Sequence, residues 1–231
     1  MKKILLSAIS VLSLNCLFAA TPFEPRDSWP YLYENFQNGA VRTSKGDLVT
    51  ESAYNVCIAD NSLHYIADGR IMHANMSSVY TARVNKDFFV NVGGKLYRVL
   101  AESDSGAILE GIEIDVDELS KVNVGYGVSV ASGSQFSLNA LAVDAGSAYV
   151  LKNPFGDVEA NKFSGSILPT KKTTYLFTHN RLIRANKKDI STVEGVDKEE
   201  AASFIKQEKI KWKNNDSLIK LLEFVDKQLS E

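Results

Sequence analysis

Three side chains able to ligate a transition metal or move a proton, Cys57, His64 and His73, fall within one short stretch, AYNVCIADNSLHYIADGRIMH. Their spacing carries chemistry if the stretch folds as two successive hairpins. Asp60-Asn61 and Asp68-Gly69 are the residue types that two-residue turns favour, because both central positions need positive φ. With both turns so placed, Cys57 stands opposite His64 and His64 opposite His73, a row across three adjacent strands. The other face of these strands carries Tyr54, Val56, Ile58, Leu63, Tyr65 and Met72 and is the core side. The row is therefore expected on the less apolar face, within reach of a ligand.

Directly opposed residues have Cβ atoms about 4.5–5.5 Å apart, which places Cys57 and His73 at roughly twice that. A tetrahedral zinc needs every ligand within ~2.0–2.3 Å. The arrangements open to the row are thus a His64–His73 zinc or copper contact, or a Cys57–His64 dyad, each still lacking a third group. A one-residue slip in either turn would destroy the row, since alternate residues face opposite ways.

A second set of candidates is acidic. IEIDVDE, read as a strand, puts Glu113, Asp115 and Asp117 on one face and Ile112, Ile114 and Val116 on the other. Such carboxylates are what a hydrolase acid–base pair or a calcium site would use. Same-face neighbours lie ~6.5–7 Å apart along a strand, too far to share one ion without loop oxygens. The DxDxDG calcium signature, the HExxH helix, the GxSxG elbow, the Walker-type phosphate loop and a GxGxxG after a strand are all missing from the sequence. The sequence assigns no catalytic residue and no cofactor.

KQEKIKWK, Lys206 to Lys213, has the look of a nucleic-acid or membrane patch. From Val196 to Glu231, however, seven lysines meet eight Asp and Glu, so the tail is close to neutral. Ile210 and Trp212 are expected to cover a helix junction, with the lysines in solvent. The formal net charge of the whole chain is −2, which offers nucleic acid or anionic lipid no broad field.

The N-terminus gives an address. Lys2 and Lys3 precede an apolar stretch, Ile4 to Phe18, that is too short to span a membrane and is followed by Ala19-Ala20. Residues 1–20 have the layout of a secretory signal, with cleavage after Ala20. Lipidation at Cys16 is the alternative. Asn15 and Ser13 fit its lipobox poorly, as Phe18 fits the −3 position of the peptidase site poorly. Either route, with Cys16 discarded or consumed by lipid, leaves Cys57 without a partner in its own chain: buried, paired with a second copy of the chain, or reactive. The expected location is the periplasm or outer envelope, with membrane contact only through Cys16.

The mature chain has 231 − 20 = 211 residues, 45% of the full sequence is hydrophobic, and such a length can bury a full core. TPFEPRDSWP and the residues after it read as an extended lead-in over 21–38. A β-rich domain spans 39–185, with about seven strands between Gly39 and Asp115 set off by turn residues. Besides the turns above, Lys45-Gly46-Asp47, Asn85-Lys86, Gly93-Gly94 and Asp104-Ser105-Gly106 mark breaks. Within this domain, 122–151 is rich in Gly, Ser and Ala and reads as loop, strand or both. TTYLFTHNRLIRA is a further hairpin around His179-Asn180. The period then changes to helical over 186–231: a short helix from Lys187 to Glu194, one capped by Asp197 through Gln207, and one capped by Asp216. The fold class is α+β, an antiparallel meander, sandwich or partly closed barrel, followed by two to three helices.

WPYLYENF with NGAV after it (Trp29 to Val41), the NVC…LHY strand pair (Asn55 to Tyr65) and FIKQEKIKWKNNDSL (Phe204 to Leu218) resemble segments of small exported bacterial proteins of unknown function. That resemblance implies a β-rich body, a helical tail and an envelope location. It brings no activity, cofactor or site. The expectation is therefore a non-enzymatic binding or structural protein of the cell envelope, whose partner is an envelope component, a small ligand or a second copy. An envelope hydrolase and a weak metal binder are the alternatives.

Overall fold

A computed structural model describes residues 22–50, 52–122 and 154–230. The leader, Cys16 and nearly all of the Gly/Ser-rich segment lie outside the described residues. Nine strands, rather than about seven, run from Gln37 to Ile114: β1 (Gln37–Thr43), β2 (Leu48–Val49), β3 (Ala53–Cys57), β4 (Ser62–Ala67), β5 (Arg70–His73), β6 (Val79–Val84), β7 (Asp87–Val92), β8 (Lys95–Ser103) and β9 (Gly106–Ile114). Helices α1 (Val116–Val122) and α2 (Pro154–Phe163) precede the hairpin β10 (Thr170–Thr178) and β11 (Arg181–Arg184). Three helices follow: α3 (Lys187–Ile190), α4 (Lys198–Gln207) and α5 (Asn215–Ser230).

The strands form one antiparallel sheet in the order β11-β10-β9-β8-β7-β6-β1-β3-β4-β5, with β2 attached to β1. It is a meander as expected, and it does not close into a barrel. Its tight turns follow from residue type. Asp68-Gly69, Gly93-Gly94 and His179-Asn180 all have positive φ at both positions and connect strands paired immediately on either side. Register shifts at Arg42/Thr43 and Val99/Ala101 add bends. The sheet coils far enough for the Leu96 N–H on β8 to donate to the carbonyl of Asn61, just before β4, at 2.8 Å. Inside the coil, Tyr54, Val56 and Leu63 share one buried cluster with Val84, Phe89 and Leu96.

The helical tail covers the other end of the sheet. Leu218, Leu221, Leu222 and Val225 of α5 pack on Ile108, Leu176 and Ile183, the face that their spacing predicts. Ile210 is buried and Trp212 packs on the same cluster, as expected of KQEKIKWK. Asp197 caps α4 through the N–H groups of Glu199 and Glu200. Two boundaries differ from expectation. The α5 cap is Asn214, whose side chain accepts from the Ser217 N–H at 2.8 Å, and Asp216 falls in the first turn. The first tail helix ends at Ile190, four residues short of Glu194.

The lead-in is extended and packed. Residues 25–27 exchange backbone bonds with 166–168, and the Ser28 hydroxyl donates to the carbonyls of Asn161 and Ser164. Further on, Ile58 N–H donates to Pro30 O and Leu32 N–H to Val56 O, which lays Tyr31 alongside Cys57. Asn55 fixes this strap from below. Fully buried, it accepts from the Tyr33 N–H at 3.1 Å and donates to the Tyr33 carbonyl at 2.8 Å.

Candidate functional site

The β4–β5 register is the expected one, with His64 opposite His73. The β3–β4 register is not: Cys57 pairs with Ser62, and His64 pairs with Asn55. The cause is a four-residue connection in place of a two-residue turn. Ile58 N–H is drawn off to Pro30, while the Asp60 carboxylate turns back to accept from Ser62 N–H at 3.0 Å and Ser62 O–H at 2.7 Å. The shift is two residues, an even number, so Cys57 and His64 stay on the same face. They become diagonal neighbours, with Asp60 swung in beside them.

The expected open face is also corrected. Cys57 is 5% and His64 8% exposed, beneath the strap. Trp29 and Tyr31 cluster with Cys57, joined by Phe36, and the Tyr31 ring stands edge-on to His64 with centroids 5.4 Å apart. Met72, expected in the core, is instead 42% exposed on the outermost strand. β3 is thus buried on both faces, which alternation along one strand does not reveal.

Ligating atoms of Cys57, Asp60 and His64 lie within 4.8 Å of one another. His64 Nδ1 is 2.9 Å from the Tyr31 hydroxyl, and His64 Nε2 is buried with no hydrogen-bond partner among the described residues. His73 borders the set from outside: its ring centroid is 5.0 Å from that of His64, and its Nε2 is 3.7 Å from Asp60 Oδ2. Burial, and then the neighbouring His73, push the His64 pKa down to about 4, so the ring is neutral at ordinary pH. Burial, reinforced by the Asp60 charge, pushes the Cys57 thiol up to about 12. Without a cation, that thiol stays protonated and a poor nucleophile. A thiol, a carboxylate and a neutral imidazole with a buried unpaired nitrogen form a donor set for a metal ion of the zinc or copper type.

The acidic candidates do not assemble. β9 stops at Ile114, and Asp115 turns the chain into α1, accepting from the Glu118 N–H at 3.2 Å. Asp117 lies in the helix's first turn, so the single-face row of Glu113, Asp115 and Asp117 is lost. His179 stands apart from the other histidines, 3.0 Å from Asp226 and 3.4 Å from Ser230 through the same nitrogen, Nε2. One nitrogen shared between acid and hydroxyl makes no relay. The contact instead holds the β10–β11 turn to the end of α5.

Sequence reasoning missed Asp60 and Tyr31. Asp60-Asn61-Ser62 carried a signal for the first: an Asp two residues before a Ser is equally an Asx turn that aims its carboxylate back into the hairpin. Tyr31 reaches the site only through the strap, and no local pattern marks it.

No family model matches this chain, and comparison with curated proteins and with solved structures found no match to it.

Proposed function

We propose that this is an exported, non-enzymatic binding protein of the cell envelope, and that it binds a thiolate-accepting transition-metal ion at Cys57, Asp60 and His64. One observation carries the reading. His64 Nε2 is a buried polar atom without a partner among the described residues, and it belongs to a residue grouped with a thiol and a carboxylate. An unpaired buried polar group costs about 1–3 kcal/mol, and coordination removes that cost. The groups that orient these ligands are already in place: Tyr31 holds the other imidazole nitrogen, and Ser62 holds Asp60 Oδ1. Export rests on the basic, apolar and small-residue layout of residues 1–20. Binding is favoured over turnover because the acidic residues disperse and Cys57 and His64 lie beneath an aromatic strap.

The test is thermal unfolding of the untagged mature chain, stripped of metal and then titrated with zinc. Zinc at one hundred times its Kd stabilises by about 2.7 kcal/mol, which raises Tm by several degrees. Cys57→Ser and His64→Gln each abolish the rise. A Tm indifferent to zinc, copper(I) and cobalt(II) overturns the reading.

A further inference from the structure

Three donors, Cys57 and His64 buried and Asp60 partly open, leave a tetrahedral ion one ligand short. We infer that His73 is the fourth ligand, supplied from the solvent side, so that the site is a four-coordinate zinc-type centre that loads and unloads past the β5 edge. The inference rests on the metal-binding reading above and adds the coordination and the route.

The geometry points to His73 in three ways. Donor atoms at ~2.0–2.3 Å from a tetrahedral zinc lie about 3.3–3.7 Å from one another. His73 Nε2 is 3.7 Å from Asp60 Oδ2, already close to that spacing. Asp60 Oδ1 is committed to Ser62, so Oδ2 is the oxygen left for an ion, and it is the one that faces His73. Finally, His73 pairs directly with His64 across β4 and β5, and their rings meet edge-on at 5.0 Å.

Exposure sets the route. The Cys57 and His64 side chains lie under the strap, whereas the His73 side chain is 47% exposed on the last strand of the sheet. The Asp60 carboxylate is also open to this side at 41%, but Ser62 holds it through Oδ1, so it is the His73 ring that rotates to bring Nε2 toward Cys57 and His64. Charge also balances. A thiolate, a carboxylate and two neutral imidazoles cancel a divalent ion, so the filled site buries no net charge. Binding transfers the Cys57 thiol proton to solvent as the Cys57–metal bond forms. A structural zinc site has its four ligands fixed by the fold. Here Cys57 and His64 are fixed by burial and Asp60 by Ser62, while His73 stands half-exposed at the edge strand, the arrangement of a centre that exchanges its ion.

Cobalt(II), which copies zinc's geometry and reports it in the visible spectrum, is the probe. Wild-type protein titrated with cobalt should show a near-ultraviolet thiolate-to-cobalt band and the strong visible bands of four-coordination. His73→Ala should keep the thiolate band, lose visible intensity, and bind at least about tenfold more weakly. His73→Cys should restore the visible intensity with a second thiolate band. A His73→Ala protein with wild-type affinity and spectrum overturns the fourth-ligand inference and leaves the three-donor reading intact. A wild-type protein with no thiolate band in saturating cobalt overturns both.

Discussion

At the scale of residues, His64 sets how the metal-free fold responds to acid. Its neighbours are Tyr31 on the strap, Cys57 on β3, Asp60 in the loop and His73 on β5. Its folded pKa is about 4 against an ordinary value of 6.5. As pH falls below 6.5 the unfolded chain takes up a proton that the folded chain refuses, so stability is lost down to about pH 4. The loss attributable to this ring is about 3 kcal/mol. Urea unfolding of metal-free wild type and His64→Gln between pH 7 and 4 should show the two curves converging as pH falls. Parallel curves would mean that His64 titrates normally. The His64–His73 pair was legible because turn chemistry at Asp68-Gly69 is unambiguous, whereas Cys57 kept its face but not its place opposite His64. Asp60 was not legible, because Asp-Asn serves equally as a two-residue turn and as an Asx turn. Only the pull of Pro30 on Ile58, a contact distant in sequence, selects between them.

Among elements, the helical tail was read almost whole, since a 3.6-residue period of Leu and Val survives any local ambiguity. Its starting points were less secure, because neighbouring Asn and Asp residues compete for the cap. Asn214 wins at α5, where its side chain accepts the Ser217 N–H and its carbonyl the Leu218 N–H. Asn214→Ala should therefore cost about 1 kcal/mol in chemical denaturation. Asp216→Ala, removing a charge from the first turn only, should cost clearly less; the reverse order would restore Asp216 as the cap. The acidic strand failed for a related reason. Asp115 accepts an N–H from the residue three ahead of it, so a pattern continuing as strand on paper ends as a helix cap. On the packed face, Leu222→Ala removes a side chain that is 0% exposed and should cost about 2–5 kcal/mol.

For the molecule as a whole, the strap governs what the sheet can do. Residues 21–38 look like a bare lead-in, with prolines and no period, yet the described part, 22–38, bonds to 166–168, to Asn161, to one edge of β3 and to the Asn55 side chain. Their effect is to bury one face of a strand whose other face is already core, and so to cover Cys57 and His64 while Asp60 and His73 stay open to solvent. That long-range contact is why the site's chemistry could be guessed from residue types while its burial could not. The measurement that tests the account most directly is the native mass of the mature, untagged chain in dilute zinc. The account predicts one zinc per chain, absent from a Cys57→Ser His64→Gln double variant of unchanged circular dichroism. A folded wild-type chain that stays ion-free in excess zinc, copper(I) and cobalt(II), or a double variant that still takes up one zinc, would contradict it.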